Sequence, residues 1–135
     1  MKKSISITGA PAPLASYSQA ILIDNTLYVS GQIGIDPFTG SITEGGPEAQ
    51  VKQIMKNIRA ILKEAGMDFS NVVKVSAFLS DMKLYNEFNN VYATYFGQDP
   101  PAREAVAVKG LPKDAAVEIS CIAVRAAEKE ILSMH

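Results

Sequence analysis

Two charged side chains, Arg103 and Glu118, lie in largely apolar segments in the last third of the chain. Their segments, 102–108 and 115–124, are rich in Val, Ile and Ala, and a loop with Gly and Pro separates them. This pattern predicts the two strands of a β-hairpin. If the hairpin folds about Gly110, residue 103 falls roughly opposite residue 118. Opposed residues share a face of the sheet, so the guanidinium and the carboxylate would point the same way.

Two interpretations of this pair stay open. In the first, Arg103 and Glu118 form a structural ion pair across the strands. In the second, they face a pocket in which the arginine binds an anion and the glutamate handles a proton or a water molecule. The loop length does not fix the register, and a slip of one residue would place the two groups on opposite faces.

Most other catalytic groups are missing from the sequence. The only histidine, His135, is the last residue, which argues against Ser-His or Cys-His nucleophilic catalysis. The single cysteine, Cys121, lies in an apolar segment that suits an inert core position. Neither a metal-ligand cluster nor a phosphate-binding glycine motif occurs. One fixed cation, one carboxylate and backbone donors remain, a set that suits an easy reaction on a small acid.

The bulk composition is that of an ordinary globular protein. The 135 residues suit one domain, 1–135, and 47% are hydrophobic while 20% are charged. A net charge of −1 with mixed signs argues against a dedicated nucleic-acid or membrane-surface binder. The N-terminus does not resemble a signal peptide, and no segment has the roughly 20 apolar residues of a membrane span. The cytoplasm is therefore the expected location.

Apolar periodicity predicts an α+β fold, with two helices covering one face of a sheet of about six strands. The clearest element is a helix at 48–65, where apolar residues recur at three- and four-residue spacing and Pro47 precedes the first turn. Asp81 is a plausible N-cap for a second helix. In chain order the predicted elements are strands 4–8, 19–24 and 26–30, helix 48–65, strand 71–80, helix 82–96, and hairpin strands 102–108 and 115–124, before a solvated tail at 127–135.

The last strand indicates that the protein forms an oligomer. If Val117, Ile119 and Cys121 face the helices, Ile122 and Val124 lie on the other face with Glu118 and Ser120. Those two apolar side chains need a partner to cover them.

Gly31, at the end of the third strand, has two interpretations that also stay open. A glycine there lets a ligand approach the backbone closely, and it equally marks a β-bulge.

Six motifs, in order, resemble those of the RidA/YjgF family, the reactive-intermediate (2-imino acid) deaminases. They span almost the whole chain, and their order makes the signal strong although each motif alone is unspecific. The motifs are A-S-Y-S-Q-A (15–20), Y-V-S-G-Q-I-G (28–34), N-I-R-A-I-L-K-E-A-G (57–66), N-x-V-Y-A-T-Y-F (89–96), P-A-R (101–103) and L-P-K-D with V-E-I-x-x-I-A-V (111–124).

The resemblance implies a chorismate-mutase-like fold, a homotrimeric barrel and pockets in the clefts between subunits, without a cofactor or metal. It implies that Arg103 binds the substrate carboxylate through a bidentate pair and that Glu118 orients the attacking water and exchanges its proton. The remaining implied contacts are the Gly31 backbone near the imine, Ser30 beside it, Tyr17 lining the cleft, and Phe88 with Asn89 forming a wall.

The chain departs from the family pattern at two places. Ala15-Ser16-Tyr17 stands where the family often has G-P-Y, and Arg103-Glu104-Ala105 stands where many bacterial members have R-S-C. The backbone amide of Ala105 can still serve, so this residue is kept as a candidate. Both changes loosen expectations about substrate size.

Three functions are compatible with these features. The first is a deaminase that hydrolyses 2-iminopropanoate or 2-iminobutanoate to the 2-keto acid and ammonia, in which an already electrophilic imine carbon needs only a held carboxylate, a placed water and proton transfer. The second, also implied by the family, is an endoribonuclease or translation inhibitor, against which the near-neutral charge counts. The third is a non-catalytic protein that binds a small 2-keto acid through Arg103 while Glu118 is structural.

Overall fold

The computed structural model describes residues 1–126 and confirms the predicted order of strands and helices, β-β-β-α-β-α-β-β. The tail predicted at 127–135 lies outside the described residues. The elements are β1 (Lys2–Ile5), β2 (Ala20–Ile23), β3 (Thr26–Gln32), α1 (Gly46–Glu64), β4 (Val72–Leu79), α2 (Tyr85–Tyr92), β5 (Ala102–Ala107) and β6 (Val117–Val124).

The six strands form one mixed sheet in the order β1-β2-β3-β6-β4-β5. Strand β5 runs parallel to β4, and all the other neighbours are antiparallel. Both helices lie on one face of this sheet, where the apolar core is buried.

Helix α1 confirms the predicted one-sided apolar stripe, and Pro47 lies in its first turn. The stripe is fully buried against β3 and β6, and each such side chain stabilises the fold by about 2 kcal/mol. Its members are Val51, Ile54, Met55, Ile58, Ile61 and Leu62.

The ends of β1 and β3 differ from the prediction for identifiable reasons. Strand β1 ends at Ile5 rather than at residue 8, because the buried Gln19 side chain satisfies the backbone of Ile7 in place of a neighbouring strand. The Ile7 amide donates to Gln19 Oε1 at 2.8 Å, and Gln19 Nε2 donates to the Ile7 carbonyl at 3.0 Å. Strand β3 continues through Gly31 to Gln32, with a register shift against β6.

The second predicted helix, 82–96, is three shorter helical segments. A 3₁₀ turn at Met82–Leu84 precedes α2, and another at Ala93–Tyr95 follows it. The side chain of Asp81 accepts a hydrogen bond from the Lys83 amide at 2.8 Å, which confirms the predicted cap. On α2 itself, Phe88, Val91 and Tyr92 are buried.

The predicted hairpin between 102–108 and 115–124 is wrong. Strands β5 and β6 do not pair with each other, because β4 lies between them and bonds to both. The connection 108–116 crosses the end of β4: the Val108 amide donates to the Leu79 carbonyl at 2.8 Å, and the Ser80 amide donates to the Ala116 carbonyl at 2.9 Å. The loop therefore spans two strand spacings, about 10 Å.

Arg103 and Glu118 consequently lie on opposite faces of the sheet within one chain. Arg103 is in register with Val75 of β4, and Glu118 is in register with Phe78. Side chains alternate along a strand, so these two β4 positions, an odd number of residues apart, face opposite ways. Val75 is buried under the helices, which places Arg103 on the helix face and Glu118 on the open face. A cross-strand ion pair inside one chain is excluded.

Among residues 1–126 the face without helices exposes large apolar side chains beside a Lys74–Glu104 ion pair. Burial along β6 alternates as predicted, with Val117, Ile119 and Cys121 inside. On the open face, Tyr28 is 49% exposed and Val106 is 44% exposed. Tyr28 is directly opposite Ile122, so the apolar surface is continuous across strands.

Candidate active site

The guanidinium of Arg103 is held by side chains of α2, and together they form the arginine half-site (Tyr85, Phe88, Asn89, Tyr92 and Arg103). Nη1 donates to Asn89 Oδ1 at 2.8 Å, and Nη2 donates to the Tyr85 hydroxyl at 2.7 Å. The charge also lies 4.8 Å from the Tyr92 ring centre and 5.4 Å from that of Phe88. Such cation–π contacts contribute about 2 kcal/mol when shielded from water.

The charge of Arg103 is not neutralised by an acid in the described part of the chain. Its two hydrogen-bond acceptors are an amide and a phenol, and no carboxylate among residues 1–126 lies within 4.0 Å of it. A half-buried guanidinium without a counter-ion attracts an anion strongly, because screening by water is reduced. The arginine half-site can therefore bind a negatively charged ligand.

A cavity of about 460 Å³ opens beside this guanidinium. Arg103 is the only charged residue in its lining, beside the amide of Asn89 and the ring of Tyr92. The rest of the lining is apolar or glycine: Ala93, Phe96, Gly97, Pro100 and Pro101. A small acid with an uncharged side chain matches this combination.

The Tyr92 hydroxyl is buried and has no hydrogen-bond partner within residues 1–126. Burial raises the pKa of Tyr92, and the nearby positive charge of Arg103 only partly offsets this. The phenol is therefore neutral at physiological pH. Its ring supports the guanidinium from the core side.

Glu118 and Gly31 make a second close contact, on the open face. A methyl group added at Gly31 would lie 2.6 Å from Glu118 Oε2 and 2.8 Å from the carboxyl carbon. Only a glycine leaves room for the carboxylate against the β3 backbone. The β-bulge interpretation is also correct, because the register of β3 against β6 shifts between Val29 and Gln32.

The Glu118 carboxyl is partly removed from water, and burial raises its pKa above the ordinary value. No basic side chain within residues 1–126 forms an ion pair with it. A carboxylate with a raised pKa holds a proton more readily, which suits a group that accepts and returns one.

Tyr17 and Ser30 complete the carboxylate half-site (Tyr17, Ser30, Gly31 and Glu118). Tyr17 lines a narrow crevice together with Gly31, and its ring is 44% exposed. The Tyr17 hydroxyl accepts a hydrogen bond from the Leu14 amide at 3.0 Å. Ser30 precedes Gly31 within β3. Its hydroxyl donates a hydrogen bond to the Ser18 carbonyl at 2.6 Å, which ties the 15–20 segment to the sheet.

The structure thus divides the predicted site residues into two groups. Phe88 and Asn89 lie with Arg103, Gly31 lies against Glu118, and Tyr17 and Ser30 adjoin Gly31. Phe88 is fully buried, so it meets the site only through the guanidinium. Asn89 likewise uses its side-chain oxygen on Arg103. Ala105 is in register with Ala77, on the same face as Arg103 and two residues along β5.

Tyr85 is a member of the arginine half-site that the sequence interpretation missed. The available signal was spacing: Tyr85, Asn89 and Tyr92 are four and then three residues apart, which places them on one face of a helix. Of these three residues the sequence interpretation assigned only Asn89 to the site.

The residues outside the two half-sites offer little reactive chemistry. Burial raises the pKa of the Cys121 thiol to about 12, so it stays protonated and inert. Residues 1–126 contain no group of three or more His, Cys, Asp or Glu side chains that could hold a metal ion. In the same range no helix is long and apolar enough to cross a bilayer.

Comparison with known proteins places this architecture in a family. Residues 7–125 match the model described as endoribonuclease L-PSP. A RutC family protein of Sulfurisphaera tokodaii is 52% identical over 84% of this chain and 90% of its own. The 2-iminobutanoate/2-iminopropanoate deaminase of Rattus norvegicus is 48% identical over 93% of this chain and 91% of its own. The crystal structure of RidA from an Antarctic Psychrobacter superposes with a TM-score of 0.88 at 40% identity, covering 91% of this chain and 99% of that one.

A mixed sheet of this topology, two helices on one face and similarity along nearly the whole chain define the class. The protein belongs to the endoribonuclease L-PSP family, the same family as RidA/YjgF, which its sequence motifs resemble.

Proposed function

We propose that this protein is a deaminase that hydrolyses reactive 2-imino acids, such as 2-iminopropanoate and 2-iminobutanoate, to 2-keto acids and ammonia. The observation that carries the proposal is the Arg103 guanidinium, held by neutral acceptors and left without a counter-ion in the described chain. The similarity of the chain to the rat 2-iminobutanoate/2-iminopropanoate deaminase, at 48% identity, supports the same reaction. The cytoplasmic location stays a prediction.

The proposed active site is shared between two copies of the chain. Arg103 and Glu118 face opposite sides of one sheet, so they can act on one ligand only if a neighbouring copy supplies the second group. The exposed apolar surface around Tyr28 and Val106 supports such an assembly. A homotrimer, the state implied by family resemblance, would bring an arginine half-site against a carboxylate half-site at each of its subunit clefts.

The reaction begins with carboxylate capture. The substrate carboxylate binds the Arg103 guanidinium through paired hydrogen bonds, and the adjoining cavity accepts its uncharged side chain. The backbone amide of Ala105 is the proposed second donor on this side. Asn89 and Phe88 keep the guanidinium in place from beneath.

Glu118 of the neighbouring copy then handles the water. Water adds to the imine carbon, Glu118 takes its proton, and the C=N bond becomes a C–N single bond. Glu118 returns that proton to the nitrogen, which gives a carbinolamine. Glu118 then takes the hydroxyl proton and passes it to the amine, and ammonia leaves with the C–N electron pair as the carbonyl forms. Gly31 lets the carboxylate approach the reacting end, while Tyr17 and Ser30 are the proposed cleft lining.

The direct test couples a threonine or serine dehydratase to this protein and follows keto-acid release while an amine traps the free imine. We expect the wild type to accelerate release, and Arg103→Lys to lose at least about a hundredfold, because an ammonium cannot reproduce the planar fork of a guanidinium. The oligomer should stay assembled, as measured by light scattering. Unaccelerated release with wild type would refute the deaminase, and normal Arg103→Lys kinetics would show that another group captures the carboxylate.

A further inference from the structure

The hydroxyl of Tyr85 is the contact in the arginine half-site for which no role has yet been given. It accepts a hydrogen bond from Arg103 Nη2 at 2.7 Å, while Asn89 accepts from Nη1 at 2.8 Å. The two acceptors come from adjacent turns of one helix, four residues apart. They therefore bind the two terminal nitrogens of the guanidinium from a single rigid support.

Two anchors on different nitrogens fix the plane of a guanidinium as well as its position. A free arginine side chain has about 2 kcal/mol of rotamer entropy, part of which must be lost when it binds a ligand. Here the aromatic rings of Tyr85, Phe88 and Tyr92 restrict the guanidinium further, at 5.6, 5.4 and 4.8 Å from its central carbon. Most of that ordering is complete before a ligand arrives.

The anchors also determine which donors remain for a ligand. A guanidinium carries five N–H groups, and Asn89 and Tyr85 each accept from one, which leaves three without an acceptor in the described chain. Because both anchors are neutral, the positive charge stays uncompensated. The hydroxyl of Tyr85 adds direction to this cation without reducing its charge.

We infer that Tyr85 is a positioning residue that aims the free N–H groups of Arg103 at the carboxylate of the ligand. The inference rests on the proposed function in taking a carboxylate as the ligand of Arg103. Tyr85 acts through the arginine, so removing its hydroxyl weakens carboxylate binding while the ring, the charge and the cavity remain.

The experiment measures the binding of 2-oxobutanoate and of its uncharged amide, 2-oxobutanamide, by calorimetry. We expect Tyr85→Phe to weaken 2-oxobutanoate binding about tenfold, since a hydrogen bond to a charged group contributes about 1.5 kcal/mol or more. Binding of the amide should be unchanged. Tyr95→Phe is the matched control, because it also removes a phenolic hydroxyl from this helical region. The ring of Tyr95 contacts Phe69 and Arg59 instead of Arg103.

In the coupled assay, the same variant should raise KM by a similar factor and leave kcat within about twofold, because the carboxylate contact is equal in the ground and transition states. Equal 2-oxobutanoate affinity in wild type and Tyr85→Phe would overturn the inference. So would equal weakening of both ligands, which would mean that the hydroxyl contacts the ligand itself or that the cavity has collapsed. Failure of wild type to bind 2-oxobutanoate would also overturn it. Normal binding without deamination would instead refute only the proposed reaction.

Discussion

The arginine half-site and the carboxylate half-site prepare their charged groups in contrasting ways. Arg103 is enclosed by side chains, with two neutral acceptors and three aromatic rings around it. Glu118 lies against bare backbone, where the absence of a side chain at Gly31 makes room for it. The orientation of the Arg103 guanidinium is fixed by its hydrogen bonds, whereas the Glu118 carboxylate is partly removed from water. Neither has a charged partner in the described chain, so each is incomplete in the chemistry that the other supplies.

The comparison is tested most strongly by mixing two inactive variants. Arg103→Met and Glu118→Gln should each lose nearly all deaminase activity. Co-expressed in equal amounts, they should regain about one quarter of wild-type activity, because about three quarters of random trimers are mixed and each mixed trimer restores one cleft of three.

The control for this experiment is each variant expressed alone, which should stay inactive. Both variants should give the same assembly as the wild type in light scattering. A mixture as inactive as its components would show that Arg103 and Glu118 do not meet across a subunit boundary.

A smaller effect is expected from filling the space beside Glu118. Gly31→Ala places a methyl group 2.6 Å from a carboxylate oxygen, so the carboxylate must shift. We expect kcat to fall about tenfold or more, since misplacing a catalytic group by an ångström is costly. Gly110→Ala is the matched control, because a methyl group there meets nothing within 4 Å. Equal activity of the two variants would show that the position of Glu118 is not critical.

The smallest expected effect is on pH dependence. Glu118 must be ionised to take a proton from water, so activity should fall as the pH is lowered through its pKa. Burial raises this pKa above the ordinary value, and the acid limb should therefore lie at a higher pH than that of a free glutamate. Glu118→Gln should abolish the limb in its residual rate. An acid limb below the ordinary range would show that a cation of a neighbouring copy outweighs burial.

The raised pKa of Glu118 should also affect the free energy of unfolding. Activity rises with pH through this pKa, whereas the stability of the folded chain falls. Where the folded state keeps a proton that the unfolded chain has lost, raising the pH costs stability. We therefore expect Glu118→Gln to lose less stability than wild type as the pH rises through that window, measured by urea denaturation.

Local pattern determined most of the fold. Helix α1 was predictable because its apolar spacing, its first-turn proline and Gly66 after its end agree. The cap at Asp81 was predictable because it is also local. Its side chain accepts a hydrogen bond from an amide only two residues further along the chain. The order of elements along the chain followed from apolar periodicity, and the family followed from the ordered motifs.

The pairing of strands was not predictable, because it depends on residues far apart in sequence. Apolar segments at 102–108 and 115–124 resemble a hairpin whether they bond to each other or to a third strand between them. Only the sheet shows that β4 occupies that place. The error placed Arg103 and Glu118 together in one chain. Tyr85 was missed for a related reason, since a tyrosine in an apolar helical stripe shows its hydroxyl's partner only after the sheet is assembled.

With the proposed site shared between copies, the opposed directions of Arg103 and Glu118 would make catalysis depend on assembly. An isolated copy would retain Arg103, which binds the substrate carboxylate. It would lack the Glu118 of a neighbouring copy, which activates water. Specific activity would then decline on dilution below the dissociation constant of the assembly and return on concentration.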